Sequence, residues 1–326
     1  VMHAHSVTAP AATFARGILG AGPEDRLYAT SKLFFAYALG NCLFAGLRLG
    51  ATVILDSEWP TAERVVEMVK RHRPTILFCV PTLYHKMLQA GVAGKLKESG
   101  IRHFISAGET LPLGVSTAWK KATVRTPISC YGTSETLFLM LYCEDDSGRL
   151  KPTPLTVFRY DDLVADLPQR VWLRHPAIAR GYWQRPAEQI DGFRDGWFSP
   201  GDMFLRHDGW LEFAGRNDDM LKIAGQWVST QWVEQALSAA CGDSVQELAA
   251  VGVKGADGLT AIATFLVATP AQEETAYRRG TEAIAALPSH KRPRWVHRMQ
   301  ALPHTASGKL QRAALVTLHQ QSGSGN

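Results

Sequence analysis

The segment PHTASGKLQR (303–312) combines a tight turn with a lysine suited to phosphate chemistry. Pro, Thr, Ser and Gly build the turn, and Lys309 follows it directly. A lysine held by a rigid turn would place a compact ammonium charge where a carboxylate attacks a phosphate, and would offset charge that develops on the transferred oxygens. An isolated lysine is usually a solvated surface residue, but Ser-Gly-Lys with Pro-x-Thr before it and Arg312 after it is far more specific.

A second segment, CYGTSET (130–136), offers groups that could hold a nucleotide and a metal ion. Tyr131 is a flat ring that could stack on a base, and the hydroxyls of Thr133 and Ser134 could hydrogen-bond a phosphate. Glu135 is a hard oxygen ligand of the kind that binds Mg²⁺, which proteins usually hold through one or two carboxylates plus substrate phosphates. The alternative interpretation is an ordinary strand-to-helix turn with a capping box.

Three further features carry weaker signals. Asp202 in PGDMF could accept hydrogen bonds from both ribose hydroxyls, and Arg216 could contact a ribose or a phosphate, although each alone is more commonly a turn residue or part of a surface ion pair. KLFFAYALGN (32–41) could line a flat hydrophobic pocket, although aromatic runs usually pack in a core. His3 and His5 stand two residues apart, but no third ligand at suitable spacing supports a metal site.

The elements that must position these residues begin with an alternating region. From residue 1 to about 200, short strand-like runs at 51–56, 75–80, 103–109 and 128–135 alternate with helical patterns such as TAERVVEMVKRH (61–72). This alternation predicts α/β layers with at least partly parallel strands. Ligands of such sheets gather at the loops beyond the carboxyl ends of the strands, which is where the turns SAGE and YGTSE would lie.

A different pattern begins at about residue 171. Strand-and-turn segments rich in Gly and Trp predict an antiparallel sheet, and the helices and strands after Asp218 predict a small α+β domain. The boundary is expected within GRNDD (215–219), which gives domains at 1–217 and 218–326. A chain of 326 residues exceeds the usual reach of one hydrophobic core, and this agrees with two domains.

Composition argues against several classes of protein. The net charge is +5 but Lys and Arg are scattered, so nucleic acid is not an expected partner. No apolar run reaches the length of a membrane span, and the first residues do not form a signal peptide. The five cysteines are far apart, odd in number and without a CxxC pair, which disfavours a disulfide framework or zinc site and favours a cytoplasmic location.

These segments, in this order, resemble the adenylate-forming superfamily of acyl- and aryl-CoA ligases, carrier-protein adenylation domains and luciferases. YGTSE looks like its YGxTE motif, and ARGYW, GWFSPGD, GRNDDMLKIAG and PHTASGK look like its later signature motifs. KLFFAYALGN, PTLY, SAGE and GQWVS are most similar to benzoate-type CoA ligases. The match implies a partial N-terminal adenylation domain, with parallel-rich layers and an antiparallel subdomain, and a mobile C-terminal domain.

The resemblance implies a two-step reaction with ATP, Mg²⁺ and CoA. The carboxylate of an aromatic acid would attack the α-phosphate of MgATP, and the CoA thiol would then displace AMP. Lys309 looks like the adenylation lysine, Glu135 like the magnesium-associated acid and Asp218 like the hinge. The other implied positions are the nucleotide site (Ala107, Gly108, Glu109, Tyr131, Gly132, Thr133, Ser134, Asp202 and Arg216), the acyl pocket (Phe35, Ala36, Tyr37, Gly132, Phe138 and Leu139) and the CoA tunnel (Gly225).

The sequence departs from the family pattern in several places. A Ser/Thr/Gly-rich phosphate loop should immediately precede VMHAH, and a glycine-rich stretch is expected between residues 142 and 171. Ser134 and His304 stand where Thr and Lys are commoner, and Phe138 stands where benzoate enzymes are expected to have histidine. We therefore expect a piece of an active ligase, or one whose partner segment is another chain, rather than a decayed member.

Three functions remain open from the sequence. The first is an aryl-CoA ligase, the second an enzyme that loads an aryl group onto a carrier protein, and the third a truncated non-catalytic protein that binds nucleotide or acid. The expected partners are an aromatic carboxylic acid and CoA, and either a missing N-terminal segment or a carrier protein. The expected pocket is apolar and aromatic, which favours a flat ring.

Overall fold

A seven-stranded sheet organises the first half of the chain. In this computed structural model, residues 1–160, 167–255, 257–304 and 310–322 are described. The first five strands are parallel, and the last two are antiparallel. Their order is β2-β1-β3-β4-β5-β6-β7. The strands are β1 (Arg26–Ala29), β2 (Thr52–Ile54), β3 (Ile76–Cys79), β4 (His103–Ser106), β5 (Ile128–Tyr131), β6 (Leu141–Cys143) and β7 (Lys151–Pro152).

Helices cover both faces of this sheet. They are α1 (Thr13–Gly17), α2 (Ala36–Ala38), α3 (Ala45–Leu49), α4 (Ala62–His72), α5 (Pro81–Gln89) and α6 (Leu113–Thr123), and a π-helical segment at Leu39–Phe44 joins α2 to α3. Along β3, Ile76 and Phe78 face one core while Leu77 and Cys79 face the other. A sheet buried on both faces needs such continuous apolar strands, so the α/β prediction is confirmed.

The helix predicted at 61–72 shows how the local sequence sets its ends. The side chain of Thr61 accepts a hydrogen bond from the backbone N–H of Arg64, which caps the first turn. The apolar positions Val65 and Val69 are buried against the sheet. Arg73 ends the helix in the left-handed conformation, with φ of 47°.

A second sheet follows, in the part of the chain where the Gly- and Trp-rich segments predict antiparallel strands. Its strands lie in the order β10-β11-β9-β12-β13, with β8 paired to β9. The pairs β8–β9, β9–β11 and β10–β11 are antiparallel. The elements are β8 (Val157–Tyr160), β9 (Gln169–Arg174), α7 (Pro186–Gly192), β10 (Phe193–Arg194), β11 (Trp197–Phe198), β12 (Asp202–Arg206) and β13 (Leu211–Arg216).

The chain divides into two compact units. The first holds residues 1–200 and 204–213, and the second holds residues 201–203 and 214–326. The second unit has a three-stranded sheet in which β16 and β17 are antiparallel and β17 and β18 parallel, as expected of a small α+β domain. The hinge at Asp218 stays a prediction, and its side chain is outside the described part. The elements are β14 (Met220–Ile223), β15 (Gln226–Ser229), α8 (Thr230–Cys241), β16 (Glu247–Lys254), β17 (Thr260–Val267), α9 (Glu273–Ala286), β18 (Trp295–Met299) and α10 (Arg312–Ser322).

Within the described ranges, none of the helices has the length and apolar character needed to span a bilayer.

A buried carboxylate connects the amino ends of three parallel strands. Asp25, just before β1, accepts hydrogen bonds from Thr75 (2.6 Å), from Arg102 (2.7 Å) and from the backbone N–H of Gly22 (2.9 Å). Burial alone would raise the pKa of Asp25, but these hydrogen bonds and the Arg102 charge together lower it from 3.8 to about 2. The folded state therefore favours the ionised carboxylate.

We predict that Asp25→Asn destabilises the first unit at neutral pH by about 2 kcal/mol, the value of the pKa shift. The ionised form stabilises the fold above the unfolded pKa of 3.8, and this contribution is lost as the pH falls through the folded pKa of about 2. Urea unfolding between pH 2 and pH 7 measures it. As a control, Asp191→Asn removes an exposed partner of Arg170 and should cost less than about 1 kcal/mol. Equal losses in both variants would contradict the prediction.

Candidate functional site

The carboxyl ends of the parallel strands surround a cavity of about 210 Å³. Loops that follow β1, β4 and β5 contribute its walls, as expected for the edge where the strands of an α/β sheet end. The lining residues are Phe35, Ala36, Tyr37, Asn41, Ala107, Gly108, Gly132, Thr133, Ser134, Leu137, Phe138 and Leu139.

The cavity brings together most of the positions implied by the resemblance. All six acyl-pocket positions line it, and so do five of the positions implied for the nucleotide: Ala107, Gly108, Gly132 (which belongs to both sets), Thr133 and Ser134. Asn41 and Leu137 line it as well, although neither is among the predicted site residues. The structure thus places the apolar wall beside the hydroxyl-bearing loop, while the role of each residue stays a prediction.

One wall is built by α2 and the π-helical segment that continues it. The hydroxyl of Tyr37 donates to the carbonyl of Ile105 at 2.9 Å, and its ring meets Phe78 edge-on at 5.9 Å. Burial raises the pKa of Tyr37 well above its ordinary value, so the hydroxyl stays a neutral donor. Phe35 stands in extended backbone just before α2. It lines the cavity and is 42% exposed, so it borders the cavity on the solvent side. The aromatic run therefore does more than fill a core.

The opposite wall is a turn that leads into a strand. The backbone N–H of Thr133 donates to the hydroxyl of Thr136 at 2.9 Å, which tightens the loop after β5. Leu137 has φ of 59°, and the chain then continues into the antiparallel strand β6. No helix starts in this described segment, so the strand-to-helix interpretation of CYGTSET is wrong. The loop backbone instead turns back and presents Phe138 and Leu139 to the cavity.

The carboxylate of Glu135 accepts a hydrogen bond from a tyrosine. The hydroxyl of Tyr182 donates to Oε1 of Glu135 at 2.9 Å, and the backbone N–H of Ala179 donates to the Glu135 carbonyl at 2.7 Å. Burial, and then the Glu135 carboxylate, raise the pKa of Tyr182, so its hydroxyl remains protonated. The backbone of the neighbouring Ser134 is held by a ring nitrogen of His3, 3.1 Å from its carbonyl oxygen.

This arrangement fits a magnesium ion that a bound phosphate would share. One oxygen of Glu135 accepts from a hydroxyl, and a carboxylate has further lone pairs that can bind a cation. Among the described residues, no group of three or more His, Cys, Asp or Glu side chains forms a metal cage. Mg²⁺ is commonly bound by one or two carboxylates plus substrate phosphates, so a single acidic ligand suffices.

Other sequence-predicted residues lie away from the cavity lining. The ring of Tyr131 packs edge-on against Phe204 at 5.4 Å, on the core side of β5. Glu109 is exposed at the surface and accepts a hydrogen bond from the hydroxyl of Thr82 at 2.6 Å. Asp202 is buried at the first position of β12. The predicted roles of these three residues in holding the nucleotide remain predictions.

The remaining predicted positions, like Asp202, belong to the second unit. Arg216 is exposed at the end of β13, and Gly225 occupies the tight turn between β14 and β15 with φ of 81°. Lys309 lies outside the described residues. Arg312, three residues later, donates to the carbonyl of Ala250 at 2.8 Å and pairs with Glu234, so the chain is anchored where it leaves the predicted lysine turn.

Two side chains that sequence reasoning left without a role, Asn41 and Tyr182, stand in segments already singled out, KLFFAYALGN and ARGYW. Their contacts span long sequence separations, 47 residues from Tyr182 to Glu135 and 98 residues from Asn41 to Leu139. No local pattern could therefore have revealed them.

Comparison with known proteins decides the family. Residues 1–183 match the AMP-binding enzyme family. The chain belongs to this family. It is 39% identical to a 3-hydroxybenzoate–CoA ligase of Aromatoleum sp. (strain CIB), over 97% of the chain and 62% of that protein. It is 36% identical to a benzoate–CoA ligase of Thauera aromatica, over 96% of the chain and 62% of that protein.

Solved structures of AMP-binding enzymes support the same assignment. The anthranilate CoA ligase AuaEII in complex with anthranoyl-AMP has a TM-score of 0.87 and 30% identity, over 99% of this chain and 65% of that one. A benzoate CoA ligase from Burkholderia xenovorans LB400 has a TM-score of 0.80 and 31% identity, over 96% of this chain and 66% of that one. The chain thus spans about two thirds of the length of these relatives, and the predicted fold class is confirmed.

We predict that Gly132→Ala narrows the cavity. A Cβ at this position would lie 2.9 Å from the carbonyl oxygen of Phe138 and 3.4 Å from the Cα of Leu139, so the wall must shift. Affinity for benzoate, measured by calorimetry, should fall at least about tenfold, within the range that single pocket changes produce. The control is Gly114→Ala in α6, where an added Cβ meets nothing within 4 Å. Unchanged benzoate binding by Gly132→Ala would contradict this account of the wall.

Proposed function

We propose that this protein activates an aromatic, benzoate-like carboxylate with ATP and then forms its CoA thioester. The observation that carries the proposal is the cavity of about 210 Å³, in which aromatic side chains adjoin the hydroxyls of Thr133 and Ser134. A flat apolar ring fits the first part, and a carboxylate next to a nucleotide phosphate fits the second. The AMP-binding family and the aryl-CoA ligases among the relatives support the same chemistry.

The proposed reaction has two displacements. In the first, a carboxylate oxygen attacks the α-phosphorus of ATP, the bond to the bridging oxygen breaks, and pyrophosphate leaves with that oxygen. In the second, the CoA sulfur, having given up its proton, attacks the acyl carbon, and AMP leaves with the electron pair of the broken C–O bond. Both steps develop negative charge on oxygens that fixed donors and cations can stabilise.

The residues of the chain have separate tasks in this proposal. Phe35, Tyr37 and Phe138 hold the ring, and the hydroxyls of Thr133 and Ser134 hydrogen-bond phosphate oxygens. Glu135 would hold Mg²⁺, whose charge would neutralise the phosphates. From the second unit, the ammonium of Lys309 would meet the carboxylate at the α-phosphate. Asp202 and Arg216 would bind ribose, while Tyr131 and the turn Ala107–Gly108–Glu109 would bracket the adenine.

The second displacement would use a different face of the mobile domain. In the proposal that domain turns about Asp218, which removes Lys309 and brings Gly225 to line a tunnel for the pantetheine arm of CoA. A glycine in a hairpin turn suits this task, because Gly225 carries no side chain and has open space around its Cα. One site would thus serve two chemistries in sequence.

The chemistry of the cavity restricts the acid. None of the described residues that line the cavity is charged, so a ring with a second ionised group would lose solvation without a partner. We therefore propose benzoate and small uncharged derivatives such as hydroxybenzoates. Phe138, which stands where a histidine is expected in benzoate enzymes, leaves the preferred derivative open, because single pocket substitutions change preference by only about 1–3 kcal/mol.

We also propose a cytoplasmic location. The five cysteines are unpaired and buried, which a reducing compartment permits.

We predict that the protein, given ATP, Mg²⁺, CoA and a panel of benzoates, releases AMP and pyrophosphate in equal amounts and forms aryl-CoA. Coupled AMP detection and mass spectrometry of the thioester measure the outcome. Thioester that forms only when a carrier protein replaces CoA would favour the carrier-loading alternative. A protein that binds benzoate or ATP but releases no AMP with either acceptor would favour the non-catalytic alternative.

We predict that Lys309→Ala slows adenylation at least about 100-fold, because it removes charge stabilisation at the transferring phosphate. Transfer from preformed aryl-adenylate to CoA should be unchanged, because the lysine serves the first step alone. Quenched-flow assays of the two half-reactions measure this split. Lys254→Ala, which removes an exposed lysine bonded to Thr260, is the control and should leave both rates unchanged. Equal slowing of both half-reactions by Lys309→Ala would refute the assignment.

A further inference from the structure

The side chain of Asn41 bonds to backbone groups on both sides of the cavity. Its Nδ2 donates to the carbonyl of Tyr37 at 3.1 Å and to that of Leu137 at 3.4 Å, and its Oδ1 accepts from the N–H of Leu139 at 3.0 Å. The first contact lies within the wall helix, which consists of α2 and the π-helical segment Leu39–Phe44. The other two contacts cross to the loop after β5. A single side-chain amide thus connects the two walls of the cavity.

The environment of Asn41 makes these bonds hard to replace. Asn41 is 3% exposed and Leu139 is also 3% exposed, so water has little access to the groups involved. A buried backbone N–H without a partner destabilises a protein, because it has lost its hydrogen bonds to water and gained none in return. If the amide were removed, the loop would have to move in order to satisfy the N–H of Leu139 and the carbonyl of Leu137.

The wall helix and the loop after β5 also approach each other unusually closely. A Cβ at Gly40 would lie 2.3 Å from the carbonyl oxygen of Leu137, so the helix backbone rests directly on the loop backbone. Both Gly40 and Asn41 stand in the π-helical segment Leu39–Phe44, a type of helix that often marks functional sites. Leu137 has φ of 59°, a conformation that a side-chain-bearing residue adopts only where its surroundings hold it.

The clamped loop serves both halves of the cavity. Its first part carries Ser134 and Glu135. Its last part carries Phe138 and Leu139, which line the cavity where the aromatic acid is proposed to bind. Fixing the last part therefore fixes the distance between a bound acid and a phosphate held by the first part. Displacements of about 1 Å from reactive geometry can slow a reaction about 100-fold.

We propose that Asn41 is a positioning residue for adenylation, which aligns the aromatic acid with the nucleotide by holding Leu137–Leu139 against the wall helix. This inference rests on the proposed ligase function. Asn41 acts through the loop and touches neither reacting atom. Its amide is suited to the task because it supplies a donor and an acceptor at once, which an aliphatic side chain of similar size cannot do.

The test is Asn41→Ala in the protein encoded by the gene, with formation of aryl-adenylate followed in single turnovers. The rate constant should fall about 10- to 100-fold per correctly folded active site, and the KM for benzoate should rise while the KM for CoA stays unchanged. Hydrogen exchange of the peptide spanning residues 132–141 should quicken, because the amide of Leu139 loses its acceptor. A purely structural role would lower the amount of active enzyme without changing KM or the rate per active site.

Matched variants keep the result decisive. Asn41→Ser retains one short polar group and should lie between wild type and Asn41→Ala in rate. Gly40→Ala leaves the amide intact but presses on the Leu137 carbonyl, so it should reproduce the same KM and rate changes, and it serves as the test if Asn41→Ala does not fold. Cys42→Ala, a truncation at the buried neighbouring position, should lower stability without changing the KM for benzoate or the rate per active site.

Opposite outcomes separate the two proposals. A wild-type protein that forms no aryl-adenylate would refute the proposed function, whatever the exchange data show. A wild-type ligase whose Asn41→Ala and Gly40→Ala variants keep the normal rate, KM and exchange would refute the role of Asn41 and leave the ligase assignment in place.

Discussion

The parallel alignment of β1, β3, β4 and β5 is the constraint on which the cavity depends. Because their carboxyl ends meet at one edge of the sheet, loops far apart in sequence are brought to the same place, where they contact one another. The amino ends are connected by the buried Asp25 and its partners Thr75 and Arg102. At the opposite edge, loops that carry both small residues and aromatic side chains surround the cavity.

The electrostatics of the site follow a different rule from those of the scaffold. Asp25 is neutralised by Arg102, as a buried structural carboxylate usually is. Glu135 instead accepts from the neutral hydroxyl of Tyr182, which orients the carboxylate without cancelling its charge. In the proposed function, a carboxylate oriented in this way would bind Mg²⁺, and the cation would in turn attract the phosphates. The difference between these two carboxylates separates a residue that holds the fold from one suited to bind.

Much of the fold could be predicted from short-range patterns. The strand Ile76–Cys79 is a short apolar run between breakers, and the helix Ala62–His72 has a Thr cap and apolar residues at helical spacing. The aromatic run KLFFAYALGN likewise indicates one apolar wall of the cavity, whereas the acyl-pocket positions after β5 are implied only by the family resemblance. These features depend on residues close in sequence, and for that reason a single sequence reveals them.

The rest depends on contacts that sequence neighbours do not determine. The π-helical segment Leu39–Phe44 has no residue signature, and Leu137 adopts a positive φ that its type does not favour. The expected alternative of a helix after CYGTSET has the right residues for a capping box, and it fails because the antiparallel strand β6 pairs with β5. Strand pairing thus determines the structure of a segment whose local sequence would also permit the start of a helix.

The close approach of Gly40 and Gly132 to the loop backbone has a consequence for how this scaffold can diversify. At both positions main chain meets main chain, so neither can acquire a larger residue without moving a wall. The size and polarity of the cavity can therefore be changed more readily through the side chains at Phe35, Ala36 and Phe138. Substitutions there would reshape the cavity while the two close backbone contacts stay in place.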